Sequence, residues 1–214
     1  MAKRWWTADL HLGHANINKY CNRPWFDATK HLDAEGQWVS AEVRDAVLHR
    51  ANSALIHNIR SRVKPDDQVI HVGDFCCKGN DRGVPGVRTK AQSWMDQMPG
   101  HWVCVTGNHD ANNGLKHTMD TATATVGRYN VFVQHRPVEH IGDMPHNCHF
   151  MVCGHVHEKW SERYLDGVWE INVGVDVRRF MPIDDNELLA IYARCLRREP
   201  DDYDRTETAA QAVS

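Results

Sequence analysis

The chain has 214 residues, 42% of them hydrophobic and 25% charged, which suits one soluble domain with a full-sized core. Its formal net charge of −3 argues against a general affinity for nucleic acid or anionic membrane, although a local basic groove is compatible with it. No apolar stretch approaches membrane-spanning length, and Met1–Trp6 lacks the apolar core of a signal peptide, so a cytoplasmic protein is expected. Seven cysteines, an odd number with no CxxC pair, read as reduced and mostly buried thiols. Histidine is the outlier, with 15 residues, and it is the commonest metal-ligating side chain.

In chain order, residues 3–8 read as a first strand that ends at Asp9, and residues 13–38 as loop-rich. Residues 40–62 carry a helix: Val43, Val47, Ala51, Leu55 and Ile59 recur every fourth position, and Ser40 is its N-cap. A strand over 68–72 leads to Asp74, and a glycine-containing stretch over 78–86 precedes a helix over 89–97. Strands over 102–106, 130–134, 150–153 and 169–173 follow, and a closing helix over 185–197 uses Leu188, Leu189, Tyr192 and Leu196. One domain over 1–198 and a disordered tail over 199–214 complete the expectation. Strands alternating with helices imply an α/β sandwich with a mixed sheet or paired sheets.

Metal-binding side chains cluster directly after these strands: Asp9-Leu10-His11, Gly73-Asp74, Gly107-Asn108-His109-Asp110, His135 and Gly154-His155-Val156-His157. Strand C-terminal ends are where open α/β sheets place their sites. Hydrolysing a phosphate ester requires neutralising phosphate charge, producing hydroxide at neutral pH and stabilising the leaving oxygen. Two cations about 3.5–4 Å apart can meet all three needs. A carboxylate such as Asp74 can lie between them, and a donor set of Asp, Asn and His suits manganese, iron or zinc better than calcium or magnesium.

The ordered set from Asp9 to His157 resembles the calcineurin-like metallophosphoesterase superfamily. Leu12-Gly13-His14-Ala15-Asn16-Ile17, Tyr20-Cys21-Asn22-Arg23-Pro24 and Asn172-Val173-Gly174-Val175-Asp176 are similar to a small bacterial and phage subgroup. The resemblance implies a four-layered α/β/β/α sandwich. It implies that Asp9, His11 and His157 bind one metal, that Asn108, His135 and His155 bind another, and that Asp74 bridges them. His109 would protonate the leaving oxygen, Asp110 would orient His109, and a dimetal-bridging hydroxide would attack. Two divalent ions are expected, manganese first, with iron, zinc, nickel or cobalt as alternatives. The chain departs from many relatives in lacking a second acidic residue after Asp74, where Phe75-Cys76-Cys77 stand instead.

His14, Asn16 and Arg23 are candidate substrate contacts, Arg23 through its planar fork. The expected substrate is a small phosphate ester, favoured as a phosphodiester, with nucleotides and cyclic nucleotides among the candidates. A phosphomonoesterase, a nuclease trimming nucleic-acid ends, and a non-catalytic metal-binding scaffold are the alternatives. No membrane partner is expected, and the oligomeric state is left open. His71 reads as a satisfied core histidine, Trp5 and Trp6 as core, and Trp25, Trp160 and Trp169 as packing residues rather than base-stacking platforms. Arg178, Arg179, Arg194, Arg197 and Arg198 read as solvated basic clusters.

Overall fold

The computed structural model describes residues 2–77, 91–116 and 118–198. The glycine-containing stretch over 78–86, the start of the helix expected from residue 89, His117 and the tail over 199–214 lie outside the described residues.

Two sheets face each other. The first has the order β3-β2-β1-β9, with β1 Arg4–Thr7, β2 Gln68–Val72, β3 His101–Val105 and β9 Ile183–Asp184. Its three long strands are parallel, and β9 closes the edge antiparallel to β1. The second has the order β4-β5-β6-β8-β7, with β4 Thr121–Val126, β5 Tyr129–Gln134, β6 Phe150–Cys153, β7 Glu162–Leu165 and β8 Val168–Asn172. Here β5, β6 and β8 are parallel neighbours, flanked by antiparallel β4 and β7. The parallel strands of each sheet therefore deliver their C-terminal loops to one end of the molecule.

Strand alternation distributes the core. Trp6, Ile70, Val72 and Val105 of the first sheet meet Val131, Val133, Phe150, Val152 and Ile171 of the second, and α5 (Asp185–Cys195) adds Leu188, Ile191, Tyr192 and Cys195. The neighbouring Trp5 points the other way, onto Leu55, Ile59 and Val63 beside the long helix α3 (Ala41–Arg62). Each fully buried aliphatic side chain of this kind contributes roughly 1.5–3 kcal/mol. Both indoles also satisfy their N–H groups, Trp5 Nε1 donating to Asp67 at 2.8 Å and Trp6 Nε1 to Asp185 at 2.7 Å. The outer face of the second sheet packs Phe132, Met151 and Cys153 against Val138 and Met144, from the segment that carries the 3₁₀ turn Ile141–Asp143.

α3 is capped as expected: the Ser40 side chain accepts from the Val43 N–H. α5 carries a reciprocal capping box between Asp184 and Glu187. The structure corrects several expectations. Leu196 lies beyond α5 and is 55% exposed; Ile191 and Cys195 complete the buried face instead. Residues 13–38 hold two short helices, α1 (Ala15–Tyr20) and α2 (Ala28–His31). Among the described residues helix α4 covers Ala91–Met95, ending two residues before the expected Gln97. Arg178 is no solvated cation, since its guanidinium is buried and pairs with Glu162 at 3.0 Å. His71 is buried as expected but is not satisfied: neither ring nitrogen has a hydrogen-bond partner, and the ring packs against Phe75 and Trp102. The seven cysteines are all free thiols. No helix among the described residues is long and apolar enough to cross a membrane.

Candidate metal centre

Every motif singled out in the sequence arrives at the same end of the two sheets. Asp9 and His11 follow β1, Asp74 follows β2, Asn108 and His109 follow β3, His135 follows β5, and His155 and His157 follow β6. The chain reaches this geometry through left-handed backbone. Asp9 (φ 58°), His11 (49°), Asp74 (58°), His155 (71°) and His157 (49°) all have positive φ. Such conformations are costly for residues with a side chain and concentrate at functional sites. Backbone bonds hold the loops together, with Asp9 N–H donating to Gly73 O and His11 N–H to Asp74 O, both at 3.0 Å. Gly73, at φ 86°, has no room for a Cβ, which would collide with the His135 ring. The two sheets meet here as well, through a bridge between Ala8 and Gly174.

The ligand atoms form two groups, Asp9 with His11 and His157, and Asp74 with His135 and His155, each within 4.8 Å. Asp74 connects them: its Oδ2 lies 3.4 Å from His11 Nε2 and 3.3 Å from His135 Nε2. Asn108 Oδ1 is 3.2 Å from His135 Nε2, which adds it to the second group. The donor set fits divalent cations. Asp9 and Asp74 are buried, and His11 Nε2 is buried without a hydrogen-bond partner. Burial pushes the Asp9 carboxyl up to about 6 and pulls the His11 imidazole down to about 3 and His155 to about 4, leaving both rings neutral near pH 7. Burial would raise Asp74 too, but His11 and His135 hold it well below the usual carboxylate range.

Outer contacts fix the rings. His135 Nδ1 donates to Val72 O at 2.8 Å, and His157 Nδ1 meets Asp176 Oδ2 at 2.8 Å, so each Nε2 is left for the centre. Burial alone would lower His157, but Asp176 and the charge of Asp9 raise it. Asp176 itself would be raised by burial, yet His157 and Arg23 bring it to about 2. Asn172 donates to His157 O and Trp160 O, both at 2.9 Å, and so secures the loop. The Cys21 thiol also lies within 4.8 Å of His157 and Asp176 ligand atoms, but the Arg23 guanidinium already occupies Asp176.

Three assignments made from sequence change. Asp110 does not reach the His109 ring: its two oxygens accept from the backbone N–H groups of Asp74, Phe75 and Gly107 and from the Asn113 amide. It is a brace for the Asp74 and Gly107 loops. Arg23 is buried and faces no substrate, because it pairs with Asp176 at 2.8 and 3.0 Å and donates to Asp9 O and Leu10 O. Asn16 accepts from Trp38 Nε1 at 2.8 Å and so anchors α1. Asp176 was missed as a functional residue. Its only sequence signal was its place in the Asn172–Asp176 run, and its pairing with His157 is a contact made by folding.

A cavity of about 370 Å³ opens over the centre, lined by His11, Asp74, Asn108, His155 and His157 of the candidate ligands, by His14 and His109, and by residues from α1 and the loop after His157. His109 is exposed there, its ring centroid 5.1 Å from that of His11, and its backbone N–H donates to Asp74 Oδ1 at 2.8 Å. His14 lines the cavity as expected; its Nδ1 sits 3.3 Å from His11 Nδ1, and burial lowers its pKa to about 4. The exposed Arg136, also missed in the sequence, bears on His155 through its charge and has no ion-pair partner among the described residues. Trp25 meets Phe180 edge-on, and Trp160 and Trp169 pack elsewhere, so none of the three lines the cavity.

The sequence profile of the calcineurin-like phosphoesterase superfamily domain matches residues 46–182. The chain belongs to this superfamily. The matched segment contains Asp74, Asn108, His109, His135, His155 and His157 but begins after Asp9 and His11, which the fold nonetheless brings to the same centre. The chain is 25% identical over 189 residues to the uncharacterized protein MJ1445 of Methanocaldococcus jannaschii, spanning 86% of this chain and 87% of that one. The crystal structure of AQ665, a protein of unknown function from Aquifex aeolicus, overlays on 89% of this chain and 100% of its own. The TM-score is 0.61 at 20% identity, which marks a shared fold.

Proposed function

We propose that this superfamily member hydrolyses a small phosphate ester, a phosphodiester in the first instance, with two divalent cations in the centre. Asp9, His11 and His157 would hold one and Asn108, His135 and His155 the other, with Asp74 between them. One observation carries the reading: a single buried carboxylate oxygen stands 3.3–3.4 Å from an imidazole nitrogen of each group. An anion in that position lowers the repulsion between two neighbouring cations. The mixed oxygen and imidazole donors favour manganese, with iron, zinc, nickel and cobalt as alternatives. When bound, the ions supply charge neutralisation and an activated water.

The remaining chemistry falls to side chains. His109 is exposed at the cavity while its backbone is tied to Asp74, so its imidazole can hand a proton to the departing oxygen beside the centre. His14, whose ring centroid lies 5.8 Å from that of His109, offers a neutral ring to the phosphoryl oxygens. Nucleotides and cyclic nucleotides are suitable substrates for a cavity of this size. The test is the initial rate on bis-p-nitrophenyl phosphate against p-nitrophenyl phosphate, with added manganese and with chelator. Chelator-sensitive turnover that favours the diester is the expected result. Preference for the monoester would redirect the reading to a phosphatase, and bound metal with no turnover of either would leave a metal-binding scaffold.

A further inference from the structure

One wall of the cavity is neither ligand nor acid. Helix α1 presents Tyr20 to it, with the largely buried Ile17 behind; the Tyr20 ring is 63% exposed and open to a ligand in the cavity. The ring is not loose. It meets His14 edge-on with centroids 6.5 Å apart, and α1 is fastened to the 36–38 segment by Lys19 Nζ donating to Gly36 O and by the Asn16–Trp38 bond. Lys159, on the loop after His157, also lines the cavity; it is exposed and has no ion pair among the described residues. The acid beside it, Glu158, bears on the Cys21 thiol and helps raise its pKa. The site therefore carries an aromatic and aliphatic face together with an uncommitted cation, beyond what holding one phosphoryl group requires.

We propose, resting on the phosphoesterase reading above, that the substrate carries a flat aromatic ring seated on Tyr20 and Ile17 and a second anionic group that reaches Lys159. A nucleotide with more than one phosphate has this chemistry. An aromatic ring stacked on a base tolerates any base, because every base has a π face. Tyr20 and Lys159 would then set specificity without taking part in bond breaking.

The experiment measures binding of three probes to the full-length, manganese-loaded protein by calorimetry: ribose 5-phosphate, AMP and adenosine 3′,5′-bisphosphate. AMP should bind about tenfold more tightly than ribose 5-phosphate, and the bisphosphate more tightly again by a factor of several. Tyr20→Ala should erase the first step and Tyr20→Phe should keep it, while Lys159→Met should erase only the second. Equal binding of AMP and ribose 5-phosphate, no measurable binding of any probe, or a Tyr20→Ala loss shared equally by both would overturn the aromatic seat. A bisphosphate advantage that survives Lys159→Met would overturn the role of Lys159. These ratios are independent of turnover, so an inactive protein would count against the phosphoesterase reading alone, and an active one with flat ratios against this proposal alone.

Discussion

Replacing Asp74 by Asn removes the charge that lies between His11 Nε2 and His135 Nε2. The two proposed cation sites should weaken together, read as a stoichiometry falling from two toward zero in metal-binding titrations with manganese. His109→Ala should behave differently, keeping the metal stoichiometry and losing about 10²–10⁴ in kcat, because it removes an acid and not a ligand. A metal-free His109→Ala protein would refute that division of roles. Asp176→Asn should lower metal affinity about 10–100-fold, through His157 and without touching the ions. The ligands were legible in the sequence because each sits in a short run at the end of a strand. Their supports were not: Arg23 and Asp176 are 153 positions apart, and Asp110 acts through backbone groups that no side-chain pattern reveals.

Elements tell the same story through periodicity. β2, β6 and the long helix α3 announce themselves by apolar runs or by a four-residue repeat. β4, the edge strand Thr-Ala-Thr-Ala-Thr-Val, carries little apolar signal and gains its order from pairing with β5 along its whole length. β9 has two residues and exists only because β1 offers it an edge. Within β2, His71 makes a separate prediction. Burial lowers its pKa to about 3, whereas the unfolded chain takes the proton near 6.5. The unfolded state therefore binds more protons between these values, and stability must fall as pH drops below 6.5, by up to about 1.4 kcal/mol per unit from this residue. His71→Met should flatten the pH dependence of urea unfolding between pH 6.5 and 5, and an unchanged slope would show that His71 escapes to solvent on protonation. Asp176 acts in the same direction lower down, its contribution present above 3.8 and lost as pH falls through about 2.

For the whole molecule, the centre is drawn from loops of both sheets, so a cation bound there adds a further tie between two halves already joined by apolar packing and the Ala8–Gly174 bridge. Manganese should raise the Tm, by an amount equivalent to about 2.7 kcal/mol at a hundredfold excess over Kd, and chelator or Asp74→Asn should abolish the rise. The left-handed residues add a final consequence. His155 stands at φ 71°, with a partly buried ring that meets His135 edge-on and whose nitrogens have no side-chain hydrogen bond among the described residues. Glycine would adopt that backbone freely. In the presence of chelator, His155→Gly should be at least as heat-resistant as the parent, while losing its response to added manganese. Selection for robustness alone would therefore dismantle this centre, and its survival in a natural sequence would be a record of use rather than of folding.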